Sequence, residues 1–418
     1  MRKAFDTRRF TIVAAFLGLV LFFALPVSAQ NEVVLTIWVG DGEYRMQEYR
    51  VVADLFEKQN PGVKVELIAQ SGSQAQVMEK ILLAIISGAP PDLMWLEGSG
   101  VIEFAYQGLL ADLTDTLAGL NFVPADTQEM TYDGRIWAVP YHTTSRGLFK
   151  NVDYFHEVGM DPNVDPADME ELYQWNLRFI RTNEDGTYTR VGMVPWQTNW
   201  HMPGWIWAFG GELLEIDGTT YRPTANAPKN VEAMEWIRSW AQLYNNRTPI
   251  AGGATGFQVG NVAMSAESTS VVSRFKDAGI RFTVGRVPHP EGGRNGVWGG
   301  GTAVGVPVNA PNMEWALKMA RFFGEADVQI ARFEGAPHGL PANWDALREV
   351  VAYLPVEFAG LIEQLPEARP RTPLWIEYYV NQLIPVTELV VLGDLTPQEA
   401  LDRVQLVMEA RYADVFGR

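Results

Sequence analysis

The sequence predicts an α/β protein built as two lobes, on three observations. Its 418 residues exceed what one ordinary hydrophobic core serves. Strand-like and amphipathic-helix patterns alternate from Val33 to Leu96. With 47% hydrophobic and 20% charged residues, no region is too polar to pack.

The elements follow in order. Val33 to Val39 is a β-rich run ending in Gly40-Asp41-Gly42, and Tyr44 to Gln59 then sets Val51, Val52, Leu55 and Phe56 on one helical stripe. Asn60-Pro61-Gly62 stops that helix. A second strand spans Val63 to Ala69, a second helix carries Val77, Ile81, Leu82 and Ile85, and Pro90-Pro91-Asp92 introduces a third strand, Leu93 to Leu96. This βαβαβ start implies a parallel sheet with right-handed crossovers. Further on, Asp165 can cap a helix opening at Pro166, and Asn230 to Tyr244 is amphipathic. Strand character returns at Thr302 to Pro307, ahead of a helix around Glu314 to Phe323. Thr396-Pro397-Gln398-Glu399 is a capping box for the last helix.

Several function classes fall away on composition. A formal charge of -17 repels phosphate backbones, so no nucleic-acid partner is expected. The first residues oppose that trend: Arg2, Lys3, Arg8 and Arg9 precede an apolar run from Phe10 to Leu25, then Pro26 and the small-residue pattern Val27-Ser28-Ala29. That is a secretory signal over 1–29, whose cleavage leaves Gln30 first; the apolar run is short of the roughly 20 residues a retained anchor needs. The absence of cysteine excludes disulfides, thiolate zinc sites, a cysteine nucleophile and a lipid-modified cysteine, so a periplasmic location is expected.

Catalytic and cofactor motifs fail on spacing. The histidines at 142, 156, 201, 289 and 338 are scattered, and neither Gly-x-Ser-x-Gly nor a phosphate-binding loop ending in Lys-Ser or Lys-Thr occurs. Gly299-Gly300-Gly301 precedes a strand, the reverse of a dinucleotide site. Asp161, Asn163 and Asp165 imitate a calcium loop, but Pro166 and Leu172 occupy its glycine and glutamate positions. No cofactor, metal or catalytic residue is expected. A glycosidase stays open, because spacing alone does not exclude two opposed acids.

Leu35-Thr36-Ile37-Trp38, Phe56-Glu57-Lys58-Gln59-Asn60-Pro61-Gly62 and Arg369-Pro370-Arg371-Thr372-Pro373, in that order along the chain, resemble the family of extracellular solute-binding proteins that includes maltose-binding protein. The first of these looks like that family's first strand, and the second like its helix-turn signature. Gly108-Leu109-Leu110-Ala111-Asp112, Tyr132-Asp133-Gly134, Asn151-Val152-Asp153 and Arg369-Pro370-Arg371-Thr372-Pro373 follow in the family's order. Lys150 departs from the family's tyrosine, and Val164 to Leu172 lacks its Thr-Trp helix entry.

The resemblance implies the two-lobed periplasmic-binding-protein fold, each lobe a mostly parallel sheet flanked by helices, with hinge crossings between lobes. Residues 31–143 with 302–337 are expected to form the N-terminal lobe, and 144–301 with 338–418 the C-terminal lobe. The resemblance also implies a carbohydrate held between them, permease subunits of an ABC importer as partners, and no enzyme activity. A monomer is the working expectation. Strand ends and helix N-termini from both lobes point unpaired N–H groups at such a cleft, so a polar ligand completes hydrogen bonds when the lobes close.

Sugars present apolar C–H faces and hydroxyl rims, so their sites combine flat aromatic surfaces with acids, amides and backbone donors. The candidates are Asp41 and Glu43 after the first strand, Gln74 after the second and Glu97 after the third. Tyr141 and Thr144 stand at the first lobe crossing; Trp298, Gly299 and Gly300 stand at the second. Trp200 and Trp205 are expected in the cleft and Trp207 in the core, with Glu267 and Trp375 completing the set. The two glycines are expected to let backbone N–H groups approach the ligand. Arg146 is the one basic residue in these loops. The alternative ligand is a cation such as a polyamine, held by Asp41, Glu43, Glu97 and Glu267.

Overall fold

The computed structural model describes residues 32–40, 42–245 and 250–417. The expected signal segment, 1–29, and Asp41 lie outside the described residues.

In the first lobe, β1 (Val33–Val39) alternates so that Leu35, Ile37 and Val39 are wholly buried. Helix α1 (Glu43–Gln59) packs Tyr49, Val52, Ala53 and Phe56 inward and ends at Asn60, whose side-chain amide donates to Phe56 O at 2.8 Å. Strand β2 (Val63–Ala69) pairs parallel with β1. Helix α2 (Gln74–Ile86) opens on a capping box between Ser73 and Gln76. Strand β3 (Leu93–Glu97) also pairs parallel with β1. Buried Asp92 ties the edge, accepting from Thr36 N and Asn312 N at 2.8 Å each.

After β3 come α3 (Val101–Tyr106), α4 (Pro124–Glu129) and β4 (Ala138–Pro140). The chain then leaves for the second lobe. There β5 (Arg146–Asn151), buried throughout, is flanked by β6 (Met264–Ser268) and β7 (Phe282–Gly285), both antiparallel to it. Strand β8 (Thr302–Gly305) returns to the first lobe and inserts between β3 and β4, antiparallel to both, giving the order β2-β1-β3-β8-β4. Helices α5 (Met313–Gly324), α6 (Ala326–Gly335) and α7 (Trp344–Val350) cover that lobe, and α8 (Pro397–Phe416) closes the chain with the Thr396–Glu399 capping box expected of it.

The two-lobed α/β architecture holds, with three local differences from expectation. The second lobe's three-stranded sheet is antiparallel, because β5 is met by returning strands rather than by crossover units. The helix expected to start at Pro166 spans Met169–Phe179 and is capped by Asp168, which accepts from Glu171 N at 2.8 Å. Asp165 is occupied elsewhere: buried Lys150 donates to it at 2.6 Å and to Val164 O at 2.7 Å. Finally, residues 340–350 pack on the first lobe. Val123 N donates to Ala342 O, the Asn343 amide donates to Gly324 O, and Leu340–Pro341 pairs with His142–Thr143.

Three chain segments between the lobes lie side by side. Thr144 Oγ1 donates to Gly300 O at 2.7 Å, Gly299 N to Arg369 O at 3.0 Å, and Arg369 N to Val297 O at 3.0 Å. Gly300 adopts φ +106, and a Cβ there would stand 2.7 Å from both Arg371 Nε and a Glu129 carboxylate oxygen. Gly134 also has positive φ, +70, but a Cβ there meets nothing. Gly300→Ala is therefore expected to lose about 1–3 kcal/mol from backbone strain, plus the cost of displacing the ion pair. Gly134→Ala should lose the strain alone, and chemical denaturation of both variants reads the gap.

Candidate functional site

A cavity of about 310 Å³ opens where both lobes contribute walls, lined by Met78, Glu97, Ser99, Glu103, Trp375 and Asn381 among others. Sequence builds each wall. Strand β3 is apolar up to Leu96 and delivers Glu97 at its carboxyl end, where the short turn Gly98–Gly100 leads into α3 and its Glu103. Opposite, Leu374 takes φ +56, a conformation a leucine seldom adopts, and Trp375 follows it into a π-helical stretch, Ile376–Leu383. The strain is held by a bond across the lobes: Leu374 N donates to Glu103 Oε1 at 2.8 Å. Burial pushes the Glu103 carboxyl up to about 7, against that bond and the charge of Arg411.

Trp375 belongs to a set of packed rings. It stacks on Trp207 with centroids 6.1 Å apart and planes 9° from parallel, and it packs on Trp298 at 5.1 Å and Tyr379 at 5.2 Å. His201 sits on Tyr379 at 4.7 Å, and burial with nearby Arg146 drives its pKa down to about 3, so it is neutral. Arg146 lies over the face of Trp298 and donates to Trp298 O at 2.9 Å and to Asn199.

The strongest electrostatic feature is Arg371. Its Nε donates to Glu129 Oε1 at 2.6 Å and its Nη2 to Glu129 Oε2 at 3.0 Å and Gly301 O at 2.7 Å; its Nη1 donates to Glu97. Burial opposes its charge, but Glu129 and Glu97 outweigh burial and hold its pKa above the ordinary range. Glu129 itself is raised by burial, with Arg371 pulling the other way. A second cavity, about 420 Å³, lies between Tyr132 and Thr131 on one side and Trp207, Glu212 and Tyr221 on the other. Arg371 lines this second cavity and Glu97 the first, so their ion pair forms part of the wall between them.

The sequence candidates divide. Glu97 and Trp375 line the first cavity, and Thr144, Trp298, Gly299 and Gly300 stand at the crossings beside it, but Trp298 and Trp375, expected at the ligand, are each only 4% exposed because they pack on one another. Glu43 is exposed on the first turn of α1, and Gln74 begins α2. Tyr141, Trp200 and Trp205, expected in the cleft, are all wholly buried. Tyr141 packs edge-on to Tyr49 and Phe323 in the first core. Trp205 donates its ring N–H to Pro195 O, and Trp200 receives the Trp298 ring N–H on its carbonyl. Trp207, expected in the core, is buried but stacks on Trp375. The expected backbone approach at Gly299 does not occur either, because its N–H is bonded to Arg369 O. Arg146 is not the sole cation: Arg371 was missed, with Glu103 and Glu129. The motif Arg369-Pro370-Arg371-Thr372-Pro373 was the available signal. Among the described residues no cluster of His, Asp and Glu is arranged to hold a metal ion, and no helix is long and apolar enough to cross a membrane.

Two α/β lobes, three adjoining crossings and a walled cavity between them define the architecture of a two-lobed binding protein. The chain belongs to the bacterial extracellular solute-binding protein family, whose model matches residues 41–330. It is 27% identical over 406 residues to the diacetylchitobiose binding protein of Streptomyces coelicolor, covering 91% of this chain and 90% of that one. Among solved structures, a cyclo/maltodextrin-binding protein complexed with maltotetraose superposes with TM-score 0.75 at 18% identity, over 90% of this chain and 97% of the other. An ABC transporter solute-binding protein from Thermotoga lettingae bound with α-D-tagatose superposes with TM-score 0.71 at 23% identity, over 91% and 100%.

Glu267 lies 2% exposed behind these groups, accepting from Ser265 Oγ at 2.6 Å. Burial raises its carboxyl from the ordinary 4.5 to about 7, against Ser265, Asn199, Arg274 and Arg146. The folded chain thus holds this proton more tightly than the unfolded one, and the resulting stability, full below about 4.5, is lost as pH rises toward 7. Glu267→Gln keeps the shape without the charge. Relative to wild type it is expected to gain stability between about pH 5 and about pH 8, and a melting-temperature gap that stays constant would contradict this.

Proposed function

We propose that this chain captures an uncharged carbohydrate in the cavity between Glu97 and Trp375 and presents it to an ABC-type importer, without cleaving it. One observation carries the reading: an aromatic ring, Trp375, and a carboxylate whose charge is already balanced, Glu97, line the same cavity. Trp375 is 4% exposed and packed on Trp207 and Trp298, and the part of it that reaches the cavity is apolar ring, suited to the C–H side of a sugar. Glu97 keeps hydrogen-bond acceptance for hydroxyls while Arg371 supplies the counter-charge.

The same balance weighs against a cation. A polyamine site needs unpaired negative charge, whereas Glu97 is paired with Arg371 and Glu267 is pushed up to about 7 with Arg146 nearby. It also favours capture over cleavage. A glycosidase holds its two acids apart on opposite sides of the scissile bond, and here Glu97 and Glu129 grip one guanidinium. The ligands named for the relatives, diacetylchitobiose, maltotetraose and tagatose, are all carbohydrates. The N-terminal signal pattern and the family's extracellular character support export, and the lack of cysteine favours a free periplasmic protein over a lipid-anchored one.

A thermal-shift screen of the mature chain against sugars, polyols and polyamines tests this. A saturating sugar, at 100 times its Kd, adds roughly 2.7 kcal/mol and raises the melting point by several degrees. Trp375→Ala should remove most of that shift, and raising the salt should leave it nearly unchanged. A shift seen with polyamines alone, fading with salt, would transfer the site to a cation. Mass analysis of the exported chain is expected to find Gln30 at its N-terminus.

A further inference from the structure

We propose that Arg371 is the positioning residue of the hinge, fixing the angle between the lobes and aiming Glu97 at the ligand. The inference rests on the carbohydrate reading for its ligand but not for its geometry. Arg371 lies on the third crossing and reaches the end of β3 through Glu97, α4 through Glu129 and the second crossing through Gly301 O. Four separate stretches of chain therefore meet on one guanidinium. Its side chain is 11% exposed, so these bonds act largely away from water, where they are strong and directional.

The planar fork explains why arginine stands here. Two parallel bonds to Glu129 fix the plane of the group, and the remaining nitrogen then points at Glu97 Oε1, leaving Oε2 for other partners. Glycines make room for the arrangement. A Cβ at Gly98 would stand 2.4 Å from Glu129 Oε2, and one at Gly300 2.7 Å from Arg371 Nε. Lysine could supply the charge but not the fixed plane.

The variants Arg371→Lys and the apolar pair Arg371→Met with Glu129→Leu separate these effects, the second guarding against a fold lost through an unpaired buried charge. Solution scattering without ligand reads the hinge: both variants are expected to show a larger radius of gyration than wild type. Titration with whichever of diacetylchitobiose, maltotetraose or tagatose most stabilises wild type reads the aim of Glu97. Affinity should fall roughly tenfold or more in each variant while circular dichroism stays unchanged. Wild-type radius together with wild-type affinity in both variants would overturn the role of Arg371. If none of the three sugars stabilises wild type, the carbohydrate reading fails, and the ligand-free radius alone still decides the hinge role.

Discussion

A full positive charge taken out of water must be met by opposite charge and by acceptors for its remaining hydrogens, or it is not tolerated. Arg371 imposes that demand where the lobes join. Glu97, Glu129 and Gly301 O meet it together, and each comes from a different part of the chain. The crossings must then approach within hydrogen-bonding distance of one another, which is why glycine occupies 98, 300 and 301. At Gly301 a Cβ would stand 1.9 Å from His142 O. Removing a single partner would leave a buried charge uncompensated, so the cluster serves specificity of arrangement more than net stability.

The same cluster separates the character of the cleft from that of the whole chain. A net charge of -17 governs solubility and long-range repulsion, and it invites a cationic ligand when read as a total. Recognition depends on local balance, however: Glu97 is paired with Arg371, and burial raises Glu103 and Glu267 to about 7, so each carries only part of a charge near neutral pH. What remains is a cavity with a tryptophan ring in its wall and a charge-balanced acceptor beside it, which suits a polar but uncharged molecule.

How far the sequence discloses this depends on how local the determining interactions are. Strands β1 to β3 and their helices were legible because period and punctuation sit within each segment, and the Thr396–Glu399 box is a four-residue signal. Insertion of β8 beside β3 was not, since nothing local in Thr302–Gly305 names its partner. Asp165 was expected to cap the helix that Asp168 caps, and Lys150, from a strand distant in sequence, holds Asp165 instead. Trp200 and Trp205 looked like cleft rings, yet their burial is set by packing around the second sheet; the missing side chain of Gly204, where a Cβ would stand 2.5 Å from the Trp200 ring, admits that ring. Arg371 was the hardest to see, because its partner Glu97 is 274 positions away.

The cluster also constrains how the lobes can move. A ligand closes two lobes only to the extent that it binds the closed form better than the open one, so its contacts must span both. Here the two cavity walls, Glu97 and Trp375, are joined through Arg371, four residues before Trp375. Drawing the crossings apart would expose unmatched buried charges and cost several kcal/mol. The directed bonds of the planar fork therefore resist rotation of the crossings as well as their separation. Glu97 is thus held on one side of Arg371 and Trp375 on the other, at the interlobe angle that the cluster keeps.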